Sequence, residues 1–394
     1  MPLTVGKDKG IMVTFAFDPN ELPDGIPEFR EQIRTFLRAA LKHSLPADRV
    51  NSWTTFDPVF SRKLGEQGWI GMTWPAIYGG HERSPIERYV LLEELLAAGA
   101  PVGAHWIADR QSGPTLLKYG TEEQRRMYLP GMAQGRVYCC IGMSEPNAGS
   151  DLASVRTRAE RLSDGRWQIS GQKLWTTNAH RSQLMIALAR TSLSGVGKHA
   201  GLSQFLIELD NPRIRIRPIT DLIGRQDFCE VFFEDAIIPA DSLLGIEGEG
   251  WKQCTSELSL ERSGPERYMS GLALFFEFLR SNEPDPTESA RQVLGSIAAD
   301  VWCLRQMSLS VAVQLASGRD ASLEACIVKD LGSSFEQGLP ALVQAFAEPG
   351  VQLQSDQSLS TTLGRLLQIA PSFSLRGGTR EILRGIIARG LGLR

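Results

Sequence analysis

Hydrophobic residues recur at every third or fourth position from about Ile26 to Gly135, which predicts a first helical region. One helix in it carries Tyr89, Leu92 and Leu96 on a single face and is followed by a glycine and a proline that end it. From about residue 137 the period changes to two, which predicts a β region. Strands are expected at residues 167–170, 185–188, 205–209, 214–219 and 231–233.

The helical period returns after Pro239 and continues almost to the end of the chain, for example at Leu294, Ile297 and Leu304. Two prolines at residues 282–286 interrupt it and predict a loop there. Within the β region, residues 214–217 alternate isoleucine and arginine, as in a strand with one buried and one solvated face. The order helical, β, helical predicts an α+β protein.

Composition narrows the functional class. With 42% hydrophobic and 22% charged residues, the 394-residue chain has an ordinary globular composition and enough length for more than one core. A net charge of -3 gives no general attraction to nucleic acid or anionic membranes. Six scattered cysteines without CxxC spacing favour reduced thiols over disulfides or a metal site. No secretory signal or membrane-length apolar run is evident, so we expect a soluble cytoplasmic protein.

A loop of small and hydroxyl-bearing residues, CIGMSEPNAGSD at residues 140–151, opens the β region. Backbone amides and hydroxyls in such a loop can approach a flat ligand closely, although an ordinary turn explains the composition equally well. Further along, KLWTTNA at residues 173–179 places an aromatic ring beside two hydroxyls, which suits a stacked ring system.

Together the two stretches resemble the acyl-CoA dehydrogenase family, in which a TEPxAGSD-like loop and a GxKxWIT-like strand hold the flavin ring of FAD. The resemblance extends to the loop at residues 74–80, the helix entry at 245–251 and the tail at 378–389. It implies an N-terminal α-helical domain at residues 22–136, a middle antiparallel, β-barrel-like domain at 137–245 and a C-terminal helical bundle at 246–394.

The resemblance also implies ligand contacts by position. Ser150 is expected to face the pantetheine of the substrate, and Arg262 to contact the CoA nucleotide through its planar donors. Glu381 is an unusual occupant of a cofactor position, because a pyrophosphate repels a carboxylate unless Arg380 or Arg384 offsets its charge. The residues implied to bind FAD are Ile141, Met143, Ser144, Gly149, Ser150, Trp175, Thr176, Thr177, Thr379 and Glu381.

Dehydrogenation of a thioester needs a carboxylate that removes the α proton while the β hydrogen leaves as hydride to flavin N5. Most of the family carries this base immediately before the Gly-Thr of the tail, where this chain has Gly377. A minority, including isovaleryl-type enzymes, carries it on the helix after the β domain in a segment like LER. Residues 260–262 match that segment, so Glu261 is the candidate base, although a solvated helix glutamate is the commoner role for such a residue.

Homotetrameric members also hold each FAD through a neighbouring subunit, with an RxxFG-like stretch and a Gln-Gly-Gly loop. Residues 284–290 (PDPTESA) and 348–352 (EPGVQ) stand at those places and match neither pattern, although Gln292 is consistent with the glutamine that follows the first. The departure from both patterns suggests a heteromer with a related chain, as in certain steroid-degrading dehydrogenases, and a homo-oligomer with altered cofactor contacts is an equal alternative.

Three functions therefore stay open. The first is an acyl-CoA dehydrogenase that passes electrons to an electron-transfer flavoprotein and forms a homo- or heteromeric tetramer or dimer. The second is an oxidase or monooxygenase on the same fold, and the third is a non-catalytic or cofactor-sharing subunit. A bulky ring or steroid-derived acyl group is favoured over a straight fatty chain.

Overall fold

The structure is a computed structural model that describes residues 15–18, 22–192, 197–346 and 357–393, except for the side chains of residues 256–261. Its chain divides into two units. We call them the helical unit, which contains Met1–Trp53, Ser84–Ala100 and Ser259–Arg394, and the sheet unit, which contains Thr54–Arg83 and Pro101–Leu258.

Helix boundaries follow local capping. Ser84 and Glu87 form a capping box at the start of one helix, with Pro85 in its first turn. The helices described are α1 (Ile26–Ala40), α2 (Pro58–Glu66), α3 (Pro85–Ala97), α4 (Gly113–Tyr119), α5 (Glu122–Ala133), α6 (Gly250–Glu261), α7 (Leu272–Ser281), α8 (Glu288–Ala316), α9 (Ser322–Phe346), α10 (Gln357–Ile369) and α11 (Arg380–Gly390). The predicted proline loop lies between α7 and α8.

The sheet unit contains one mixed sheet. Its strands are β1 (Cys139–Gly142), β2 (Arg158–Arg161), β3 (Trp167–Thr177), β4 (Leu184–Arg190), β5 (Leu202–Glu208), β6 (Ile214–Ile219), β7 (Phe228–Ile238) and β8 (Leu243–Leu244). They run in the order β6-β7-β3-β2-β4-β5-β8, and β1 pairs in parallel with β4. The predicted fold class is confirmed, and the sheet differs from the antiparallel expectation by this parallel pair and a single parallel bridge from β2 to β4.

Strand β3 is anchored in the core at its beginning. Trp167 packs edge to face against Phe205 with ring centroids 5.1 Å apart, and Ile169 and Val231 are fully buried beside them. Burial of each such side chain contributes about 1.5–3 kcal/mol. The alternation that buries residues 167 and 169 also directs residue 173 inward, so the core fixes the register with which β3 reaches residues 175–177.

Three expectations from composition can be compared with the described residues. No described helix is long and apolar enough to span a bilayer. In the same part of the chain, no cluster of three or more histidine, cysteine or acidic side chains could hold a metal ion. All six cysteines lie in described segments and are free thiols.

Candidate active site

The loop after β1 is attached to β3 by backbone bonds. A tight turn closes it, with Glu145 N donating to Ala148 O at 2.9 Å and Ala148 N donating to Glu145 O at 3.1 Å. Leu174 N donates to Ser144 O at 2.9 Å. The structure therefore brings together the two motifs that the sequence separates by about 30 residues.

A β-bulge interrupts strand β3 where it reaches the second motif. Lys173 pairs with Val231 and Thr176 with Cys229, so two residues of β3 oppose one residue of β7. Trp175 takes up the extra length with a left-handed φ of 60°, and its side chain is 57% exposed. The bulge thus presents an indole face outward at a cost in backbone strain, an arrangement typical of ligand-binding positions.

Thr176 follows the bulge and has an unusual environment. It is 1% exposed, and its Oγ1 has no hydrogen-bond partner among the described residues. Buried hydroxyls are normally hydrogen-bonded, so the Thr176 hydroxyl is an exception, and it directly follows the exposed indole in the strand. A planar heterocycle with polar edges suits this pair.

A buried ion pair lies beneath the loop. Lys173 Nζ is 2.8 Å from Glu145 Oε1 and donates to Met143 O at 3.1 Å. Burial acts against both charges, and it lowers the pKa of Lys173. The Lys173 charge and the Arg156 amide outweigh the burial of Glu145 and lower the pKa of its carboxyl. The sequence analysis missed this pair, although the inward register of residue 173 on β3 signals a buried lysine that needs a carboxylate.

Gly149 and Ser150 lie at the exposed tip of the loop. No atom approaches within 4 Å of the position that a Cβ on Gly149 would occupy. The neighbouring Asp151 accepts a hydrogen bond from Ser154 Oγ at 2.5 Å and pairs with Lys198 at 3.2 Å. Gly149 and Ser150 are both exposed and therefore accessible to a ligand, as their predicted contacts require.

Glu261 is the last residue of α6, and its side chain lies outside the described residues. Arg262 follows it and is 8% exposed, with one guanidinium nitrogen 3.4 Å from Cys326 Sγ. Its Nε has no hydrogen-bond partner among the described residues. The predicted contact of Arg262 with the CoA nucleotide stays a prediction.

The tail places Thr379 and Glu381 at the start of α11. Thr379 is the N-cap, whose hydroxyl oxygen accepts from Ile382 N at 3.5 Å. Hydrogen bonds from its own amide and from Thr379 lower the pKa of Glu381, which is exposed. Arg380 and Arg384 both contact Asp330, at 2.9 and 3.3 Å, and their charges also help to lower the pKa of Glu381.

Gly377, the vacant base position, has a left-handed φ of 62°. We expect Gly377→Ala to destabilise the protein by about 1–2 kcal/mol, the strain of a Cβ in this conformation. The matched control is Gly364→Ala, in the exposed middle of α10 with open space around a new Cβ. Gly364→Ala should stabilise the protein by about 0.5–1 kcal/mol, because alanine loses less backbone conformational entropy than glycine when the helix forms. Denaturant unfolding gives the change in the free energy of unfolding for each variant. Equal changes would contradict backbone strain at residue 377.

Arg376 directly precedes Gly377 and packs into a cluster of buried aromatic and polar side chains. Its guanidinium lies over Trp53 and Phe373, with centroid distances of 4.3 and 4.7 Å. It donates to Asn51 Oδ1 and Ser270 Oγ, both at 3.2 Å. It also lies 3.4 Å from Glu336 Oε2, which is buried. The sequence alone gave no role to this residue, and the structure places it in a cluster of aromatic and polar side chains.

Two segments depart from the family's cofactor-binding patterns, and the structure describes the first, at residues 284–290, but not the second. Residues 284–287 form the loop before α8, where Thr287 Oγ1 caps the helix by accepting from Ala290 N at 3.2 Å. Arg291 contacts Glu288 at 3.3 Å within the same chain. Residues 348–352 lie outside the described residues.

Comparison with known proteins gives the class. Models of the acyl-CoA dehydrogenase N-terminal domain and middle domain match residues 26–136 and 140–236. The chain belongs to the acyl-CoA dehydrogenase family and is an oxidoreductase acting on acyl-CoA. Members of this family are FAD flavoproteins.

Particular relatives cover nearly the whole chain. Acyl-CoA dehydrogenase IpdE1 of Mycobacterium tuberculosis is 34% identical over 386 residues, covering 93% of this chain and 98% of IpdE1. The Tcur3481-Tcur3483 steroid ACAD has a TM-score of 0.82 at 27% identity, covering 95% of this chain and 98% of that chain. The ChsE4-ChsE5 complex from Mycobacterium tuberculosis has a TM-score of 0.79 at 27% identity, covering 95% and 99%.

Proposed function

We propose that the chain binds FAD and catalyses α,β-dehydrogenation of an acyl-CoA thioester to the trans-2-enoyl-CoA. The observation that carries this proposal is the bulge of β3, which exposes the Trp175 indole and leaves the buried Thr176 hydroxyl unpaired beside the attached loop. Met143, Ser144, Trp175 and Thr176 then hold the flavin ring, as the family motifs imply.

The residues present fit FAD. The exposed indole offers a stacking face, and the Thr176 hydroxyl can donate to or accept from a polar ring edge. Ile141 in β1 and Thr177 at the end of β3 belong to the same two motifs. When bound, FAD supplies a ring nitrogen that accepts hydride. Thr379 and Glu381 complete the set, and the Glu381 carboxylate needs the charges of Arg380 and Arg384 to offset its repulsion by a phosphate.

We expect Thr176→Val to separate flavin binding from folding. Valine has a similar shape, and the hydroxyl has no protein partner to lose, so unfolding of the flavin-free protein should change by less than about 0.5 kcal/mol. FAD affinity should fall about 2–10-fold, as for one neutral hydrogen bond. Thr115→Val, at another buried and unpaired threonine in α4, is the control. Unchanged FAD affinity in Thr176→Val by fluorescence titration would contradict the contact.

In the proposed reaction, Glu261 is the base. Its carboxylate takes the α proton of the acyl group, the electron pair of that bond forms the α,β double bond, and the β hydrogen departs as hydride. Ser150, exposed at the loop tip, orients the pantetheine. A carboxylate performs this step well when a water-poor site raises its proton affinity toward the working pH. An electron-transfer flavoprotein is the proposed acceptor of the electrons.

A heteromer with a related chain is the proposed assembly. It rests on the loop at residues 284–287, which lacks the family's cofactor-reaching pattern, and on the similarity to the ChsE4-ChsE5 complex. The similarity to a steroid ACAD also favours a bulky ring or steroid-derived acyl group as substrate.

The experiment that tests the function is flavin absorbance per chain, for the protein alone and with a related chain, followed by anaerobic addition of CoA thioesters. Bleaching of the flavin by a thioester would support the dehydrogenase. Stoichiometric flavin in the lone protein would refute the shared site. Absence of bound flavin in both preparations, or flavin that no thioester bleaches, would refute the proposed reaction.

A non-catalytic, cofactor-sharing subunit is the second candidate, favoured by the glycine at position 377. It predicts that flavin bleaching in the assembled enzyme does not depend on Glu261. Oxygen consumption coupled to turnover would instead indicate an oxidase or monooxygenase on the same fold.

A further inference from the structure

Four hydrogen bonds converge on one buried pair, Lys173 and Glu145. The Lys173 ammonium, with no exposed surface, bonds to Met143 O and to Glu145 Oε1. The Glu145 carboxylate also accepts from the amides of Arg156 and Thr157, at 2.6 and 2.9 Å. One ion pair therefore ties together strand β3, the loop after β1 and the segment that leads into β2.

The path of the lysine side chain is tightly constrained. A Cβ on Gly142 would lie 3.3 Å from Lys173 Cγ and 2.7 Å from Met185 Sδ, so the stem passes beside a backbone that has no room for a side chain. The lysine stem therefore packs closely against the Gly142 backbone on its way to the loop.

We infer that the Lys173–Glu145 pair is the positioning device of the flavin-ring site, setting the place of Met143 and Ser144 relative to Trp175 and Thr176. The loop residues bond to residues 173 and 174, and the ring-facing residues of β3 come next, Trp175 in the bulge and Thr176 after it. Loss of the ammonium frees the Met143 carbonyl and leaves, among the described residues, the bond from Leu174 N to Ser144 O as the hydrogen bond between the loop and β3. This inference rests on the proposed flavin site.

The test uses Lys173→Met/Glu145→Gln in the full chain, assembled with its related chain if flavin binding requires it. The single variant Lys173→Met leaves a buried carboxylate without its cation and is expected to unfold more easily. The double variant removes both charges, so its stability should return toward that of the wild type. Its Kd for FAD should still rise about 10–100-fold, the factor for a lost hydrogen bond to a charged group.

A second readout needs no flavin. Hydrogen exchange at the amides of residues 143–145, 147 and 148 should be faster in the flavin-free double variant than in the flavin-free wild type. The control is Arg215→Met/Glu234→Gln, which removes an exposed ion pair at 3.0 Å from the same sheet and should change neither measurement.

The outcomes separate this inference from the proposed function. A double variant with wild-type FAD affinity, visible flavin spectrum and exchange rates would overturn the positioning role. A wild-type assembly that binds no FAD would overturn the proposed function, and the exchange measurement would then decide the inference by itself. Weaker FAD binding with a stable fold and faster exchange would support it.

Discussion

Glu261→Gln is expected to slow flavin bleaching by a CoA thioester about 10²–10⁴-fold, the range for removal of a general base. Glutamine keeps the size and hydrogen-bonding capacity of the side chain but cannot take up a proton. Because bleaching reports the first half-reaction, the measurement is independent of the electron acceptor. Substrate binding should change little, since the amide occupies the same volume.

The control for this variant is Glu277→Gln, in α7 of the same helical unit. Glu277 pairs with Arg280 at 3.0 Å and belongs to no motif of the family. Its variant should bleach within about 2-fold of the wild-type rate, because a mostly structural ion pair has no part in proton transfer. Rapid bleaching in Glu261→Gln would place the base elsewhere and favour the reading as a non-catalytic subunit.

The parts of the fold that could be predicted are those where one periodicity dominates. Strand β6 has the predicted bounds, because its isoleucines face the core and its arginines face solvent. Strand β3 extends seven residues beyond the predicted end at Ser170, to Thr177. The bulge puts an exposed Trp175 next to a buried Thr176 and so breaks the alternation on which the prediction depended. Strand β1 is buried without alternation and carries no period-two signal.

The candidate site could be predicted from the sequence where residues close to one another in the chain act together. The resemblance named Met143, Ser144, Trp175 and Thr176, and the structure attaches the loop that carries the first two to the strand that carries the others. The sequence could not give a role to Arg376, since its partners Asn51, Ser270 and Glu336 are 325, 106 and 40 residues away. Long-range polar clusters of this kind have no periodic signal.

Glu336 shows why the Arg376 cluster is important for stability. Complete burial raises the pKa of the Glu336 carboxyl above its ordinary value, while Arg376 and the Ser270 hydrogen bonds act in the opposite direction. Ser270 N donates to Glu336 Oε1 at 2.8 Å. A raised pKa means that the folded protein binds more protons than the unfolded chain over the interval between the two pKa values. Glu336 therefore contributes less stability as the pH rises through that interval.

Arg376→Met should destabilise the helical unit by about 3–5 kcal/mol at about pH 8, because the buried carboxylate loses its cation. Without Arg376 the pKa of Glu336 rises further, so the carboxyl takes up a proton more readily on acidification. The destabilisation should accordingly be smaller at about pH 5 than at about pH 8. Denaturant unfolding at both pH values, relative to the wild type, measures this difference.

Two further variants decide whether the Glu336 charge is the cause. In Arg376→Met/Glu336→Gln the amide keeps an oxygen for Ser270 N and carries no charge, so the extra cost at high pH should disappear. Arg38→Met removes one partner of an exposed ion pair with Glu31 in the same unit and should cost less than about 1 kcal/mol at both pH values. A cost of Arg376→Met that is equal at both pH values would instead assign the effect to lost packing of the guanidinium on Trp53 and Phe373, since those contacts do not titrate.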